Sequence, residues 1–92
     1  MQALREQHRA EALARIGVIE LAIAALGTGE LDEQRRCEAE RTAHMLSGSL
    51  GMFGFSREAE AARELESELA HAAGAQASML SALAAIVRRG LG

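Results

Sequence analysis

Apolar residues recur along the chain with the spacing of helices that each bury one face. In the first stretch Ile16, Ile19 and Ile23 follow one another every three or four residues, which is the period of an amphipathic helix. Glycines such as Gly27 and Gly54 interrupt the pattern where such helices would end. The pattern predicts four helices, over about 2–26, 30–53, 57–72 and 76–89.

Residues near the predicted helix ends support this division. The acidic residues Glu30 and Asp32 suit the positive N-terminus of the second helix. Ser56 is predicted to be the N-cap of the third helix, which is expected to stop near residues 73–74. Residues 90–92, two glycines around a leucine, are predicted to form a frayed tail.

Composition and length favour a single helical domain. The chain of 92 residues has room for one hydrophobic core, so we expect one domain over residues 1–92. It has no proline and is rich in Ala, Leu, Glu and Arg, the strongest helix formers. Four helices with apolar stripes and short connections predict an all-α fold, an antiparallel up-down four-helix bundle.

Charge and cysteine content exclude several classes of function. The net charge is −3 with both signs interleaved, and only two residues are aromatic, so we expect no nucleic-acid binding. The single cysteine, Cys37, cannot form an internal disulfide and suits a reducing, cytoplasmic compartment. The N-terminus is polar, and no apolar run approaches the roughly 20 residues that span a membrane, so we expect no membrane insertion.

The second predicted helix places a histidine opposite its core stripe. At about 100° per residue, His44 and the glycines Gly48 and Gly51 lie away from the apolar side of this helix. A glycine inside a helix costs about 1 kcal/mol relative to alanine, so a bare surface beside His44 needs a reason other than helix stability. We expect a partner to approach His44 closely. The core stripe comprises Ala39, Ala43, Leu46, Leu50 and Phe53.

His44 carries the chemistry that this surface suggests. A neutral imidazole exposed to water is a competent nucleophile at neutral pH and needs access more than it needs a buried base. Cys37 and Glu40 share the outer sector of the helix with His44, and Arg41 flanks it. We interpret Glu40, Arg41 and Cys37 as a candidate docking rim.

One segment resembles a known family. The pattern Ala43-His44-x-Leu46-x-Gly48-Ser49, followed by Gly51, Gly54 and the pattern Ala61-Ala62-Arg63-x-Leu65-Glu66, is similar to histidine-containing phosphotransfer (HPt) domains of multi-step phosphorelays. The resemblance implies that His44 is phosphorylated on an imidazole nitrogen and that Gly48 leaves room for a receiver domain. Many members carry lysine immediately before that glycine. Here the residue is Ser47, which offers a hydroxyl group but no positive charge. By the resemblance, Ser47, Gly48 and Gly51 are expected where the phosphoryl group and the partner approach.

The resemblance also implies a division of labour with partners. Phosphoryl transfer needs charge neutralisation, usually by Mg²⁺ and Lys or Arg, yet the chain has no Walker-type loop or kinase signature. The domain is therefore expected to bind no cofactor and to have no kinase or ATPase activity. The receiver domain of a response regulator would supply the aspartate and Mg²⁺, and a hybrid sensor histidine kinase would stand upstream.

Two alternatives stay open from the residues. The bundle would be a docking domain that binds a receiver or a kinase without being phosphorylated. A weaker alternative is a metal or redox module that uses His44, Glu40 and Cys37, for which no further ligand is evident. The other histidines, His8 and His71, are expected to be solvated.

Overall fold

The structure is a computed structural model that describes residues 2–71 and 76–92, with side chains from residue 6 onward. It contains helices α1 (Gln2–Gly27), α2 (Glu33–Met52), α3 (Ser56–Ala70) and α4 (Ala77–Leu91). Each helix packs against the next, and α4 closes the bundle against α1. The predicted all-α four-helix bundle is confirmed. The predicted end of the third helix near residues 73–74 lies outside the described residues.

The core is aliphatic and draws on all four helices. Its smallest members are alanines such as Ala12, Ala43 and Ala62, which are fully buried and let the helix axes approach closely. Burying one large aliphatic side chain contributes about 1.5–3 kcal/mol, so this layer is the main source of stability. Phe53, predicted as core, is only half-buried. The largest fully buried side chains are Ile16, Ile19, Leu46, Leu50, Leu65, Leu69, Leu80 and Val87.

Helix α2 begins at Glu33, three residues later than predicted, because Asp32 is its N-cap. The Asp32 side chain accepts a hydrogen bond from the backbone N–H of Arg35 at 2.7 Å. Glu30 lies in the preceding turn, where its backbone N–H donates to the Ala25 carbonyl at 2.7 Å and closes the end of α1. Gly29 supplies the positive φ of 76° that this turn requires.

The prediction that Ser56 caps α3 was wrong by one residue. Gly54 has a φ of 85°, and this left-handed turn directs the N–H of Phe55 back to the Leu50 carbonyl at 2.9 Å. Phe55 therefore occupies the cap position, without a side-chain cap, and Ser56 is the first helical residue.

The C-terminal residues are ordered into the bundle instead of forming the predicted frayed tail. Helix α4 continues to Leu91, which is buried. The Arg9 guanidinium donates to the carbonyl of Leu91, and also to that of Gly92 at 2.8 Å. These bonds satisfy carbonyls that a helix end leaves open.

His8 is buried, contrary to the prediction that it is solvated. Its ring stacks on Phe53 with centroids 4.0 Å apart, so the start of α1 packs against the end of α2. Its Nε2 has no hydrogen-bond partner among the described residues. His71 is exposed beyond the end of α3, as predicted.

The lengths and hydropathy of the helices also bear on membranes. None of the helices in the described ranges is long and apolar enough to cross a lipid bilayer.

Candidate functional site

The packing of α2 places His44 on the surface. Its neighbours Ala43 and Leu46 are completely buried, and they fix the side of the helix that faces the core. His44 lies on the other side, with 71% of its side chain exposed. The predicted exposure of the histidine is therefore observed.

The His44 ring is held by a carboxylate from the neighbouring helix. Its Nδ1 lies 3.0 Å from Oε2 of Glu66 on α3. An ionised carboxylate can only accept a hydrogen bond, so we assign the ring proton to Nδ1. In the neutral ring the lone pair is then on Nε2, which is the nitrogen left without this contact.

The three rim residues predicted from sequence come together with this pair. Cys37, Glu40 and Arg41 line a shallow depression along with His44 and Glu66. Cys37 is exposed as a free thiol. Arg41 makes no hydrogen bond or ion pair to any residue that the structure describes, so its positive charge is available at this surface.

A second arginine, Arg36, binds one of the residues that line the depression. Arg36 donates to Oε1 of Glu40 at 2.9 Å and to the Leu69 carbonyl of α3 at 2.9 Å, and it also pairs with Glu33. The guanidinium beside Glu33 lowers the pKa of that carboxyl, and the carboxylates around Arg36 raise the pKa of the guanidinium in turn. Arg36 is thus committed to protein groups, and it ties the start of α2 to the end of α3.

Ser47 does not present its hydroxyl group to the depression, although the sequence predicted that it would face an approaching phosphoryl group. The residue is 9% exposed, and its hydroxyl donates to the His44 carbonyl at 2.8 Å. Serine inside a helix commonly bonds to the preceding turn in this way.

The two glycines leave open surface that the fold does not demand. A Cβ atom built on Gly48 would meet nothing within 4 Å, and one on Gly51 would make an ordinary 3.9 Å contact with the Cβ of Ala59. Neither glycine is needed for helix packing. Their effect is that no side chain projects from the helix surface at these two positions beside His44.

Glu66 is the residue of this site that sequence reasoning missed as a partner of His44. A signal for it exists in the α2–α3 hairpin, because antiparallel helices bring together residues at similar distances from their turn. His44 lies ten positions before Gly54, and Glu66 lies twelve positions after it.

A comparison with protein families identifies the family of the chain. The family model described as the Hpt domain matches residues 3–89. The chain belongs to the Hpt domain family. Hpt domains are helical phosphocarriers of two-component signalling, and they interact with the receiver domains of response regulators.

This Hpt domain is also similar to a much longer protein. It is 34% identical over 56 residues to Protein RcaC of Microchaete diplosiphon, an alignment that covers 61% of this chain and 9% of RcaC. No solved structure gives a significant match.

A metal centre finds no support in the Hpt domain. Across the described ranges 2–71 and 76–92, no three His, Cys, Asp or Glu side chains are grouped so that they could hold a metal ion. The depression beside His44 contains a thiol, an imidazole and two carboxylates, but Arg36 binds Glu40 and His44 binds Glu66.

Proposed function

We propose that this Hpt domain accepts a phosphoryl group on Nε2 of His44 from a receiver aspartate and passes it to a second receiver. One observation carries the proposal: His44 is exposed, and the Glu66 carboxylate holds its Nδ1 at 3.0 Å. This leaves Nε2 as the nucleophilic nitrogen. The bare surface at Gly48 gives a partner room to approach.

The transfer requires no proton to leave the ring. The Nε2 lone pair attacks phosphorus, and the bond from phosphorus to the aspartate oxygen breaks with its electron pair returning to the carboxylate. The ring becomes a phosphoimidazolium whose Nδ1–H still faces Glu66, so the carboxylate balances the positive charge that forms. Attack by the aspartate of the second receiver reverses each change and restores the neutral imidazole.

The remaining parts of the reaction belong to the partners. A receiver would supply the aspartate, the Mg²⁺ and a cationic side chain that neutralise the phosphoryl oxygens. The Hpt domain would act as a phosphocarrier without kinase or ATPase activity and without a cofactor of its own. A hybrid sensor histidine kinase would load the first receiver.

Arg41 is the candidate for positive charge on the Hpt side. The usual lysine is replaced by Ser47, whose hydroxyl is bonded to the His44 carbonyl. Arg41 lines the same depression as His44 and is unpaired among the described residues. Its guanidinium would attract the acidic phosphorylation pocket of a receiver.

Radiolabel transfer tests the function. The domain is mixed with receiver domains carrying ³²P-phosphoaspartate, and the label should appear on the Hpt chain as acid-labile, alkali-stable phosphohistidine. His44→Gln should abolish the label, and a second unlabelled receiver should remove it from the wild-type chain. Binding of a receiver without any labelling of His44 would establish the docking-domain alternative instead.

A further inference from the structure

Glu40 on α2 lies between two residues that could bind its carboxylate. Residues four apart on a helix are neighbours, so Glu40 is one turn from Arg36 and one turn from His44. Its Oε1 accepts a hydrogen bond from Nη1 of Arg36 at 2.9 Å. Glu40 lines the same depression as His44, yet the described residue that binds the imidazole ring is Glu66.

Helix geometry alone does not favour this choice of partner. On a helix, an acidic residue four positions before a basic one pairs better than the two residues in the reverse order. Glu40 stands in the favoured order with His44 and in the reverse order with Arg36. The bond that Glu40 makes to Arg36 therefore depends on how firmly the guanidinium is held.

Arg36 is held by two groups besides Glu40. Glu33 accepts hydrogen bonds from its Nε at 2.8 Å and its Nη2 at 2.7 Å, and the Leu69 carbonyl accepts from its Nη1 at 2.9 Å. A guanidinium bound on several sides presents its donors in a fixed geometry. Arg36 precedes Glu40 along the helix and His44 follows it, so the bond to Arg36 directs the Glu40 carboxylate away from the ring.

A Glu40 carboxylate released from Arg36 would compete for the imidazole. The groups that line the depression around His44 are Cys37, Glu40 and Arg41 from α2 and Glu66 from α3. Glu66 already binds Nδ1. A second carboxylate at the ring would favour the imidazolium form, because a nearby opposite charge stabilises the charged state. An imidazolium has a proton on both nitrogens and no lone pair with which to attack phosphorus.

We propose that Arg36 is a positioning residue for phosphoryl transfer, because it holds the Glu40 carboxylate away from His44 and so preserves the lone pair on Nε2. The inference rests on the proposed function, in which that lone pair attacks the phosphoryl group. Arg36 acts through Glu40 and not by binding the ring. The same bond offsets a negative charge that an anionic phosphoryl donor would otherwise meet in the depression.

A pH titration of the imidazole tests the proposal without a phosphodonor. ¹⁵N NMR follows the protonation of His44, whose signals are assigned by their absence in His44→Gln. Arg36→Gln releases Glu40, and it should raise the pH at which the imidazolium loses its proton by about one unit. Arg36→Met keeps the aliphatic stem and serves as the second variant if Arg36→Gln does not fold. Arg36→Lys keeps a charge for Glu40 and should titrate closer to wild type.

A double variant shows whether the effect passes through Glu40. In a Glu40→Gln background, Arg36→Gln should leave the titration of His44 unchanged, because no carboxylate is released. Arg35→Gln is the matched control, since it removes the same charge from the neighbouring position of α2. The Arg35 side chain is exposed and makes no ion pair in the described part of the chain. Arg35→Gln should titrate as wild type.

The rate at which phosphoramidate labels His44 provides the functional measurement. At about pH 6, Arg36→Gln should be labelled on the order of tenfold more slowly than wild type, and the two rates should converge as the pH rises. Urea unfolding measures the stability lost with the broken hydrogen bonds. A purely structural role would lower that stability without moving the pH profile.

Three results would overturn the proposal. Identical titrations of Arg36→Gln and wild type would leave Arg36 with a structural role alone. An equal shift in the Glu40→Gln background would show that Glu40 does not transmit the effect, and an equal shift in Arg35→Gln would reduce it to net charge. None of these measurements uses a receiver, so a failure of the relay function is seen separately, as a wild-type chain that no receiver labels.

Discussion

Glu66 on α3 binds the Nδ1 atom of His44 on α2 at 3.0 Å, so the imidazole ring on one helix is oriented by a carboxylate of the next. The imidazole and the carboxylate that fixes its ring proton come from different helices. The chemistry of His44 therefore depends on how the two helices pack.

Removing the Glu66 carboxylate should slow phosphorylation of His44. A hydrogen bond to a charged group contributes about 1.5–3 kcal/mol, so Glu66→Ala should lower the labelling rate about tenfold or more. Glu66→Gln should have a smaller effect, because its amide oxygen still accepts from Nδ1–H but carries no charge. Quench-flow labelling by a phosphorylated receiver measures the rates, and ¹⁵N NMR of the imidazole reports the tautomer. Equal rates in all three proteins would show that Glu66 does not orient the ring.

Substitutions at Gly48 should stabilise the fold but, when the new side chain is long, slow phosphoryl transfer. Gly48→Ala should raise the free energy of unfolding by about 1 kcal/mol, because glycine is the poorer helix former and the new Cβ meets no atom within 4 Å. Gly48→Gln should in addition slow transfer from the receiver by projecting beside His44. Urea unfolding and labelling kinetics measure the two effects.

A second mid-helix glycine provides the control for this pair. Gly17 in α1 also has nothing within 4 Å of a built Cβ atom. Gly17→Ala should stabilise the chain by a similar amount and leave transfer unaffected. If Gly48→Gln transfers as fast as Gly17→Ala, the bare surface has no role in access.

Replacing His8 should stabilise the bundle. Its Nε2 is buried with no hydrogen-bond partner among the described residues, and such a group costs about 1–3 kcal/mol. His8→Phe keeps a ring stacked on Phe53 and removes the polar atom, so the free energy of unfolding should rise by about 1 kcal/mol. Urea denaturation measures it, with the exposed His71→Phe as the comparison. A loss of stability in His8→Phe alone would contradict this account of the buried nitrogen.

The ion pair between Glu20 and Arg88 should contribute stability only above acidic pH. Hydrogen bonds from Arg88 at 2.7 and 2.8 Å lower the pKa of Glu20 from its usual value of 4.5. Because the folded pKa lies below the unfolded one, the contribution is complete above the unfolded pKa and is lost as the pH falls through the folded pKa. Both side chains are partly exposed, so water screens the pair and we expect only a small contribution at neutral pH.

Comparison with Glu20→Gln measures this contribution. The difference in the free energy of unfolding between wild type and Glu20→Gln should be present at pH 7 and should be lost as the pH falls below 4.5 and through the lowered pKa of folded Glu20. Arg88→Gln should show the same profile. A difference that grows on acidification would contradict the assignment.

The sequence predicted those features that depend on neighbours along one helix. The stripe that includes Ala43, Leu46 and Leu50 is local, and its period alone places His44 on the opposite side. The division into four helices follows for the same reason, with errors of a few residues where caps compete. Helix α2 starts after Asp32 and not at Glu30, because the Asp32 side chain accepts a hydrogen bond from the Arg35 N–H.

Features that depend on contacts between helices were missed. The partnership of His44 with Glu66 requires the axial alignment of α2 with α3. The burial of His8 requires that the start of α1 reaches Phe53, and the order of Leu91 requires Arg9 from the opposite end of the chain. The direction of the Ser47 hydroxyl was missed for a different reason, since it depends on a bond to the His44 carbonyl within the same helix.

The hydrogen bond from Arg36 to the Leu69 carbonyl also bears on the contact between His44 and Glu66, because both contacts join α2 to α3. One turn of helix corresponds to a rise of about 5.4 Å, so a slip of α2 along α3 by one turn would carry Nδ1 of His44 out of reach of Glu66. Arg36 opposes that slip by fastening the two helices at 2.9 Å near their shared end. The tautomer of His44 therefore depends on the register of α2 against α3, and the bond from Arg36 to the Leu69 carbonyl helps to fix that register.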